Sequence, residues 1–339
     1  MNNLIKTETK IESRRYIGSK AKLKSWIISL IEKECRGESF LDIFAGTGVI
    51  SAEASSVFKK IIVNDFLYSN YVCYQAFFGL GKFNKNKLNL ISEDFNKLNP
   101  KKIKENYFSR NFSNKYFSHE TSKLIGHIRE EIEKQKPILT DKEYYVLLAS
   151  LLYSVDKVAN TVGHYDAYIK KDIKNNNFNF RLIEPLNVNA EIHREDANLL
   201  ARSLEVDVVY VDPPYNSRQY SRFYHLLETL TKWDKKKLHG VALKPLTENR
   251  SEYCTVKAPT AFADLIDNLK CKYIVTSYNN TYDAKSHSSI NKIKLEQIKE
   301  ILERKGTTNI HKKDHKFFNS GKTDFANHQE WLFITKVYG

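Results

Sequence analysis

The feature that most limits what this chain can fold into is a strand–turn–helix–strand unit between residues 40 and 65. Residues 40–55, FLDIFAGTGVISAEAS, combine a short apolar strand, a glycine turn and a helix rich in Ala and Ser. Residues 61–65, IIVND, form a second strand that ends in a carboxylate. Parallel strands joined in this way need helices on both faces of their sheet. The unit therefore predicts an α/β fold.

The rest of the chain continues with apolar strands and helical patterns, interrupted by two polar segments. Strands are predicted at residues 191–194, 207–211, 272–276 and 331–337, with the last one pairing with 308–318. Helices are predicted at residues 19–34, 120–134, 141–158, 221–231 and 290–304. Residues 67–186 show no convincing series of strands, so we expect a mainly helical insertion there. A smaller polar, basic insertion is expected at 232–258, which leaves 1–66 and 187–339 as the core.

The formal net charge of +14 indicates which kind of molecule the protein binds. Each lysine or arginine set against a phosphate releases condensed counterions, so a surplus of this size favours a polyanion such as a nucleic acid. Charge alone does not choose DNA over RNA. A basic composition that only aids solubility is the alternative explanation.

Several classes of protein are disfavoured by what the sequence lacks. It has no run of eighteen apolar residues, and its first ten residues lack the apolar stretch of a signal peptide. Its four cysteines are scattered without a CxxC pair, which supports neither disulfides nor a structural zinc site. We therefore expect a cytoplasmic protein with no membrane contact and no metal.

The turn at residues 42–48, DIFAGTG, has the composition of a site for a cationic nucleoside cofactor. Gly46 and Gly48 allow the backbone to approach a ligand where a Cβ would clash. Asp65 ends the next strand, where a carboxylate accepts both hydroxyls of a ribose. A dinucleotide site would have a third glycine, and an acid ahead of the loop repels phosphate. Asp42 suits instead the ammonium and sulfonium charges of S-adenosylmethionine.

Residues 15–20, RYIGSK, form a turn ahead of the first predicted helix. Lys20 and the amides around Ser19 are placed to bind a carboxylate at the N-terminus of that helix. Ordinary capping by Ser19, with a solvated lysine, explains the same residues. Taken alone, the segment favours the capping interpretation.

The segment 209–216, VYVDPPYN, is the most specific pattern in the chain. It places an acid, two prolines and an aromatic ring at the carboxyl end of a buried strand, where open α/β sheets bind ligands. The structural alternative is a proline-capped strand end with a buried tyrosine. A consecutive Asp-Pro-Pro-Tyr is rare by chance, which favours a functional role.

This loop suits methyl transfer to an exocyclic amino group. Such a group is a poor nucleophile because its lone pair is delocalised into the ring. The Asp212 side chain and the Pro213 carbonyl can each accept one of its N–H bonds, which favours a tetrahedral nitrogen whose lone pair points at the methyl group. The prolines hold the loop rigid, and Tyr215 offers a face for stacking a base. Transfer is then a direct in-line displacement with no covalent enzyme intermediate.

With these motifs in this order, the chain resembles the Dam-like alpha group of adenine-specific DNA methyltransferases, and more closely the FokI-type modification enzymes. Residues 159–168 and 224–229 also look like that subfamily. The resemblance implies a Rossmann-like S-adenosylmethionine-dependent methyltransferase sheet, with target recognition by residues 67–186. It implies methylation at N6 of an adenine flipped out of double-stranded DNA, as the modification part of a restriction–modification system with a paired endonuclease. One base flipped per event fits a monomer.

The resemblance also implies residue roles. Residues 16–20 match the motif that holds the methionine end of the cofactor, and Asp196 matches the acid beside its adenine. The cofactor-binding residues are then Tyr16, Gly18, Ser19, Lys20, Asp42, Phe44, Gly46, Gly48, Asp65, Asp196 and Ala197. Residues 212–220 match the catalytic loop with its extension. The catalytic residues are then Asp212, Pro213, Pro214 and Tyr215.

Candidates for DNA contact lie late in the first insertion and just past the catalytic loop. They are His164, Tyr165, Asn216, Ser217, Arg218, Gln219 and Tyr220. Arg218 and Gln219 have groups that read base edges, although a phosphate contact is the commoner role for such an arginine, and Tyr220 can stack or wedge. His164 is also explained as a turn histidine that is satisfied by the backbone.

Two other functions compete with this interpretation. Asp-Pro-Pro-Tyr also serves enzymes that methylate amino groups in ribosomal RNA, although those usually lack the N-terminal motif and the long insertion before the catalytic loop. A nucleic-acid-binding regulator that kept the fold without catalysis is the other candidate. The presence of Asp42, Asp65 and Asp212 argues against it.

Overall fold

A seven-stranded sheet forms the centre of the described part of the chain. The computed structural model describes residues 11, 14–170, 173, 177–246, 249–282, 290–315 and 328–339. The strands are β1 (Ser39–Asp42), β2 (Lys60–Asn64), β3 (Ala190–His193), β4 (Glu205–Val211), β5 (Lys270–Asn279), β6 (Gly306–Asp314) and β7 (Gln329–Val337). Their order across the sheet is β3-β2-β1-β4-β5-β7-β6. β7 runs antiparallel to the other six strands, which all run in the same direction. The predicted α/β sheet is confirmed.

The strand order reverses direction at β1, which pairs with β2 on one side and β4 on the other. The chain leaves these strands towards opposite sides of the sheet, which opens a crevice beyond their carboxyl ends. In the register of the sheet, Asp42 lies beside Val63 and Tyr210. The residues that follow β2 and β4 therefore meet Asp42 at one edge.

Alternate residues of the central strands point to opposite faces, because the side-chain period of a strand is two. One face carries Phe40, Val63 and Val208, and the other carries Leu41, Ile62 and Val209. Helices cover both. The hydrophobic cluster that includes the first face also contains residues of α1 (Lys24–Glu34), α2 (Val49–Ala54), α3 (Tyr68–Phe77), α4 (Lys85–Asn96), α5 (Tyr107–Phe112), α6 (His119–Gln135), α7 (Asp141–Val158), α9 (Tyr220–Phe223) and α10 (His225–Lys232). The second face packs against α8 (Ala197–Ser203), α11 (Ala258–Asn268) and α12 (Leu295–Lys305).

The described part of residues 67–186 contributes the helices α3 to α7. The start of α7 follows from its sequence, since Thr140 and Glu143 form a reciprocal capping box. Ile125 of α6 and Leu147 of α7 are buried in the same hydrophobic cluster as Phe40 and Val208 of the sheet. The insertion therefore shares a core with the sheet rather than forming one of its own.

Some predicted boundaries differ from the structure. The helix predicted at 19–34 begins at Lys24, because residues 17–23 form turns. The helix predicted at 221–231 is two helices, α9 and α10, which Tyr224 separates with φ −112° and ψ 21°. The predicted partner strand of β7 ends at Asp314, and residues 316–318 lie outside the described residues. Among the described helices, none is both long and apolar enough to cross a bilayer.

Candidate active site

Four acidic side chains meet at the carboxyl ends of neighbouring strands. Asp42 ends β1, Asp65 follows β2, Asp196 follows β3 and Asp212 follows β4. All four line one pocket, so the glycine turn and the Asp-Pro-Pro-Tyr loop face each other across it. The other predicted residues that line this pocket are Tyr16, Gly18, Ser19, Lys20, Phe44, Gly46, Ala197, Pro213, Pro214, Tyr215, Gln219 and Tyr220.

The glycine turn is shaped by contacts within the protein. Gly46 and Gly48 have φ of 53° and 76°, a backbone region that favours glycine. A Cβ on Gly46 would lie 3.2 Å from Tyr16, and one on Gly48 would lie 3.2 Å from Phe78. Gly48 is not among the residues that line the pocket. The prediction that the glycines make room for a ligand is therefore corrected for Gly48, while Gly46 does line the pocket.

Asp65 is fixed by two backbone amides. Its Oδ2 accepts from the Gly46 N–H at 3.0 Å, and its Oδ1 accepts from the Leu67 N–H at 2.8 Å. Burial raises the pKa of Asp65 to about 6, although these amides act in the opposite direction. Each carboxylate oxygen has a second lone pair, so Asp65 can still accept hydroxyl groups from the pocket.

Asp42 has one carboxylate oxygen without a partner. Its Oδ2 accepts from the Ser51 hydroxyl at 2.8 Å, while Oδ1 is buried and has no hydrogen-bond partner among the described residues. The residue is only 1 % exposed, and burial raises its pKa to about 8. A buried acceptor of this kind is stabilised by a donor or a cation, and the pocket that Asp42 lines can supply either.

At the far end of the pocket, Asp196 and Ala197 mark the start of α8. Asp196 caps this helix, because its Oδ1 accepts from the amides of Asn198 and Leu199. Phe44 packs edge-on against Tyr253 with ring centroids 5.1 Å apart. The two rings form an apolar wall of the size that suits a planar base.

The turn at residues 16–20 lies across the glycine turn. The Tyr16 ring is stacked on Tyr224 with centroids 4.6 Å apart and planes within 6°. Gly18 has φ of 78° and lies against Tyr215 and Tyr220. Because α1 begins only at Lys24, neither a helix N-terminus near Ser19 nor capping by Ser19 is present. Both interpretations of this segment are therefore corrected.

Lys20 is buried beside the Asp-Pro-Pro-Tyr loop. Its Nζ lies 3.0 Å from Asp212 Oδ1 and 3.2 Å from Glu330 Oε1, and it donates to the Tyr215 hydroxyl. These contacts within the protein hold the Lys20 ammonium at the wall of the pocket. Burial raises the pKa of Asp212, and the Lys20 ammonium opposes this shift.

The Asp-Pro-Pro-Tyr loop is held by side chains from three directions. The Tyr215 hydroxyl donates to Asp212 Oδ1, and the Tyr215 carbonyl accepts from the Lys292 N–H at 2.8 Å. The Tyr215 ring packs edge-on against Tyr278 at 5.1 Å and lies under the Lys20 ammonium. Only 5 % of Tyr215 is exposed, so the structure leaves little of the expected stacking face open.

Several residues expected to touch DNA are engaged elsewhere. His164 is 7 % exposed, packs on Phe223 at 4.7 Å and accepts from the Asp166 N–H, which is the backbone-satisfied alternative. Tyr165 is buried and donates to Asp156. Neither ring offers a surface to DNA in this structure, so both expectations are corrected.

The extension of the catalytic loop is tied to the second polar insertion. The Gln219 amide donates to the Ser251 carbonyl at 3.0 Å and accepts from the Ser251 N–H at 2.8 Å, so its base-reading group is already used. The Tyr220 hydroxyl donates to the Ile17 carbonyl at 3.3 Å. Its ring packs in the cluster of Tyr16 and Tyr224 rather than standing free as a wedge.

Arg218 and its two preceding residues stay close to the surface. The Arg218 guanidinium lies 5.6 Å from the centre of the Phe223 ring, and Asn216 Oδ1 accepts from the Arg218 N–H at 3.1 Å. Ser217 and Asn216 are half-buried. A role of these three residues in DNA contact stays a prediction.

A second cavity lies on the other side of Lys20 and Tyr215. Its rim includes three cationic side chains, Arg15, Lys22 and Lys157, and all three residues are exposed. Arg15 donates to the Ala159 carbonyl at 3.2 Å, which holds it at this rim. Within the described part of the chain, no cluster of His, Cys, Asp and Glu is arranged to hold a metal ion.

The chain matches a known protein family over most of its length. The model of the D12 class N6 adenine-specific DNA methyltransferases matches residues 16–319. The chain belongs to this family. The methyltransferase thus acts on the N6 position of adenine in DNA, and the RNA alternative finds no support in the match.

Its relatives include modification enzymes that match along most of the chain. The Type II methyltransferase M.NlaIII of Neisseria lactamica is 32% identical over 335 residues, which cover 93% of this methyltransferase and 95% of that protein. M.CviAII of Paramecium bursaria Chlorella virus 1 is 32% identical over 95% of this chain and 98% of its own. M.FokI of Planomicrobium okeanokoites is 30% identical over 94% of this chain, which spans 52% of M.FokI.

Glu330, the second carboxylate at Lys20 of the methyltransferase, was not expected from the sequence. Glu330, Leu332 and Ile334 share the buried face of β7, as their two-residue spacing requires. A charge on that face needs a partner, because an unpaired carboxylate is unfavourable inside a protein. A carboxylate directly ahead of the apolar run WLFI therefore carried a usable signal.

Proposed function

We propose that the methyltransferase uses S-adenosylmethionine as its methyl donor and binds it between the glycine turn and the Asp-Pro-Pro-Tyr loop. The observation that carries this proposal is the unpartnered Oδ1 of Asp42, a buried acceptor on the wall of the pocket. The ammonium of the methionine moiety would satisfy it. Asp65 would accept the ribose hydroxyls, and the Phe44–Tyr253 wall would lie beside the adenine ring, with Asp196 at its edge.

The proposed donor supplies an electrophilic methyl group on a sulfonium, and the protein supplies the geometry. Lys20 and Tyr215 both contact Oδ1 of Asp212, which leaves Oδ2 to accept an N–H of the target amino group. The Pro213 carbonyl would accept the other N–H. With both hydrogens held, the nitrogen lone pair is directed at the methyl group, and much of the alignment precedes the reaction.

Reaching this site requires the adenine to leave the duplex. Unstacking and unpairing take a few kcal/mol, which contacts to the flipped base offset. We propose that residues 67–186 recognise the target sequence and that 232–258 make a smaller contact with double-stranded DNA. The methyltransferase would act as a monomer, paired in the cell with a restriction endonuclease.

The direct test is to methylate plasmid DNA with the purified protein and S-adenosylmethionine, then to map modified bases by sequencing. The expected result is N6-methyladenine at one short recurrent sequence. Methyl label that enters RNA in preference to duplex DNA, or cytosine as the modified base, would overturn the proposal.

Replacing Asp42 by Asn should weaken cofactor binding and reduce its pH dependence. In the wild type, the pKa of about 8 means that Asp42 is largely protonated at pH 6, so affinity for a cation should rise between pH 6 and pH 8 as the carboxyl group ionises. Asn keeps an acceptor for Ser51 but carries no charge. Calorimetry should show at least about tenfold weaker binding of S-adenosylmethionine at pH 8.

The matched control for this change is Asp94→Asn, since Asp94 is an exposed carboxylate of α4 that pairs with Lys97. It should bind the cofactor as the wild type does at every pH. An unchanged pH dependence in Asp42→Asn would exclude Asp42 as the contact to the ammonium.

DNA affinity should fall steeply with salt, because phosphate contacts release counterions. Lys22 and Lys157, two exposed cations that line the second cavity, are the candidates for these phosphate contacts. A Lys22→Gln/Lys157→Gln variant should reduce the slope of log Kd against log salt by about two, and weaken binding to all sequences alike. Fluorescence anisotropy over a salt series measures both quantities.

The control for the salt series is Lys270→Gln, at the amino end of β5 and hence on the far edge of the sheet. It should leave the slope unchanged. A flat salt dependence in the wild type would remove the phosphate argument, and equal slopes in all three proteins would place the contacts elsewhere.

A further inference from the structure

Glu330 is a buried carboxylate that the proposed chemistry does not yet use. It is the second residue of β7 and is 3 % exposed. Its Oε1 accepts from the Ser277 hydroxyl of β5 at 2.6 Å and lies 3.2 Å from Lys20 Nζ. Ser277 is fully buried, so the carboxylate is anchored from the neighbouring strand.

Lys20 is therefore shared between two carboxylates. Its Nζ lies 3.0 Å from Asp212 Oδ1 and 3.2 Å from Glu330 Oε1, and the side chains of all three are largely buried. One ammonium cannot neutralise two carboxylates, so the group keeps an excess negative charge next to the pocket. A lone Lys20–Asp212 ion pair, by contrast, would carry no net charge.

We propose that Glu330, anchored by Ser277, is a positioning residue that shares the charge of Lys20 and so makes the ionised Asp212 carboxylate a stronger hydrogen-bond acceptor. The inference rests on the proposed role of Asp212 in binding the target amino group. Without Glu330, Lys20 would give its full charge to Asp212. The carboxylate would then accept an amino N–H less strongly, because its negative charge is already compensated.

The pH dependence of the reaction should reflect the effects of Lys20 and Glu330 on the pKa of Asp212. Burial raises the pKa of Asp212, Lys20 lowers it, and Glu330 raises it further. Below this raised pKa the carboxyl group is protonated and its acceptor oxygens are lost, so activity should fall on the acidic side. Among the described residues, the other ionisable groups that face Asp212 are Asp42, Tyr210, Tyr215, Tyr220 and Tyr278, and His315 faces Glu330 and Lys20.

The experiment compares pH profiles of kcat/KM for the wild type and Glu330→Gln, with duplex DNA and S-adenosylmethionine as substrates. Gln keeps the shape of the side chain and an acceptor for Ser277, and removes only the charge. The acidic limb should move to lower pH by about one unit. On the plateau, kcat should fall by less than about tenfold with unchanged cofactor affinity, since Asp212 keeps its charge and its contact to Lys20.

Two further variants make the result decisive. Ser277→Ala keeps the Glu330 charge but loses its anchor, so the limb should move in the same direction by less, and this variant replaces Glu330→Gln if the latter does not fold. Glu300→Gln removes an exposed carboxylate of α12 and should leave the profile unchanged.

The outcomes separate this inference from the proposed function. An acidic limb at the wild-type pH in folded Glu330→Gln and Ser277→Ala overturns the role of Glu330 and leaves that of Asp212 intact. Full activity of Asp212→Ala overturns the proposed function itself. A shift of the limb with unchanged cofactor affinity supports the inference.

Discussion

Asp212→Ala should lower the rate of methyl transfer by at least about a thousandfold, while the Kd for S-adenosylmethionine stays within about threefold of the wild type. The reason is positional. Asp212 Oδ1 is already bound to Lys20 and Tyr215, so the part of Asp212 left to the substrate serves the amino group and not the cofactor. Single-turnover transfer of a labelled methyl group to duplex DNA measures the rate, and calorimetry measures the Kd.

The opposite pattern is expected of Asp42→Asn, where the Kd rises and saturating cofactor restores much of the rate. The two variants together separate the cofactor side of the pocket from the substrate side. Loss of cofactor binding in Asp212→Ala, to the same degree as the loss of rate, would contradict the role given to Asp212.

Lys20→Met should destabilise the protein by about 3–5 kcal/mol, the range for breaking a buried ion pair by removing one partner. The side chains of Lys20, Asp212 and Glu330 are 5 %, 14 % and 4 % exposed, so water does little to screen the two carboxylates that remain. Without the ammonium that lowers its pKa, Asp212 should take up a proton, and methyl transfer should be lost with stability. Urea unfolding followed by tryptophan fluorescence measures the change.

The matched control is Lys24→Met, four residues further along the chain. Lys24 pairs with Glu53 at 2.6 Å, but the side chains are 28 % and 26 % exposed. Solvent screening limits such a pair to about 1 kcal/mol or less. Adding Glu330→Gln to Lys20→Met should recover part of the lost stability. Equal effects of the two lysine variants would show that the buried network contributes little.

The parts of the fold predicted from sequence are those with local signals. The glycine turn after β1, the apolar run of β4 and the Asp-Pro-Pro-Tyr loop are each encoded within about ten residues. The rules for parallel sheets then bring their carboxyl ends to one edge. For this reason Asp42, Asp65 and Asp212 line one pocket.

The wrong expectations concern partners that are distant in sequence. Lys20 meets Glu330 across 310 residues, and Gln219 is bound by Ser251 of another segment. A single sequence shows which groups can form hydrogen bonds but not which tertiary contact uses them first. The rings of His164 and Tyr165 were expected at the DNA for the same reason, although packing against neighbouring helices buries them.

The common core of the sheet and the first insertion bears on how new sequence specificities can be built. Ile125 and Leu147 belong to the same cluster as Phe40 and Val208, so residues 67–186 are not a cassette that can be exchanged whole between enzymes. A chimaera made by such an exchange would replace many of the residues in the hydrophobic cluster that includes one face of the sheet. Grafting only the solvent-facing positions of α4 to α7, and keeping their inward-facing residues, is the route that preserves the catalytic edge.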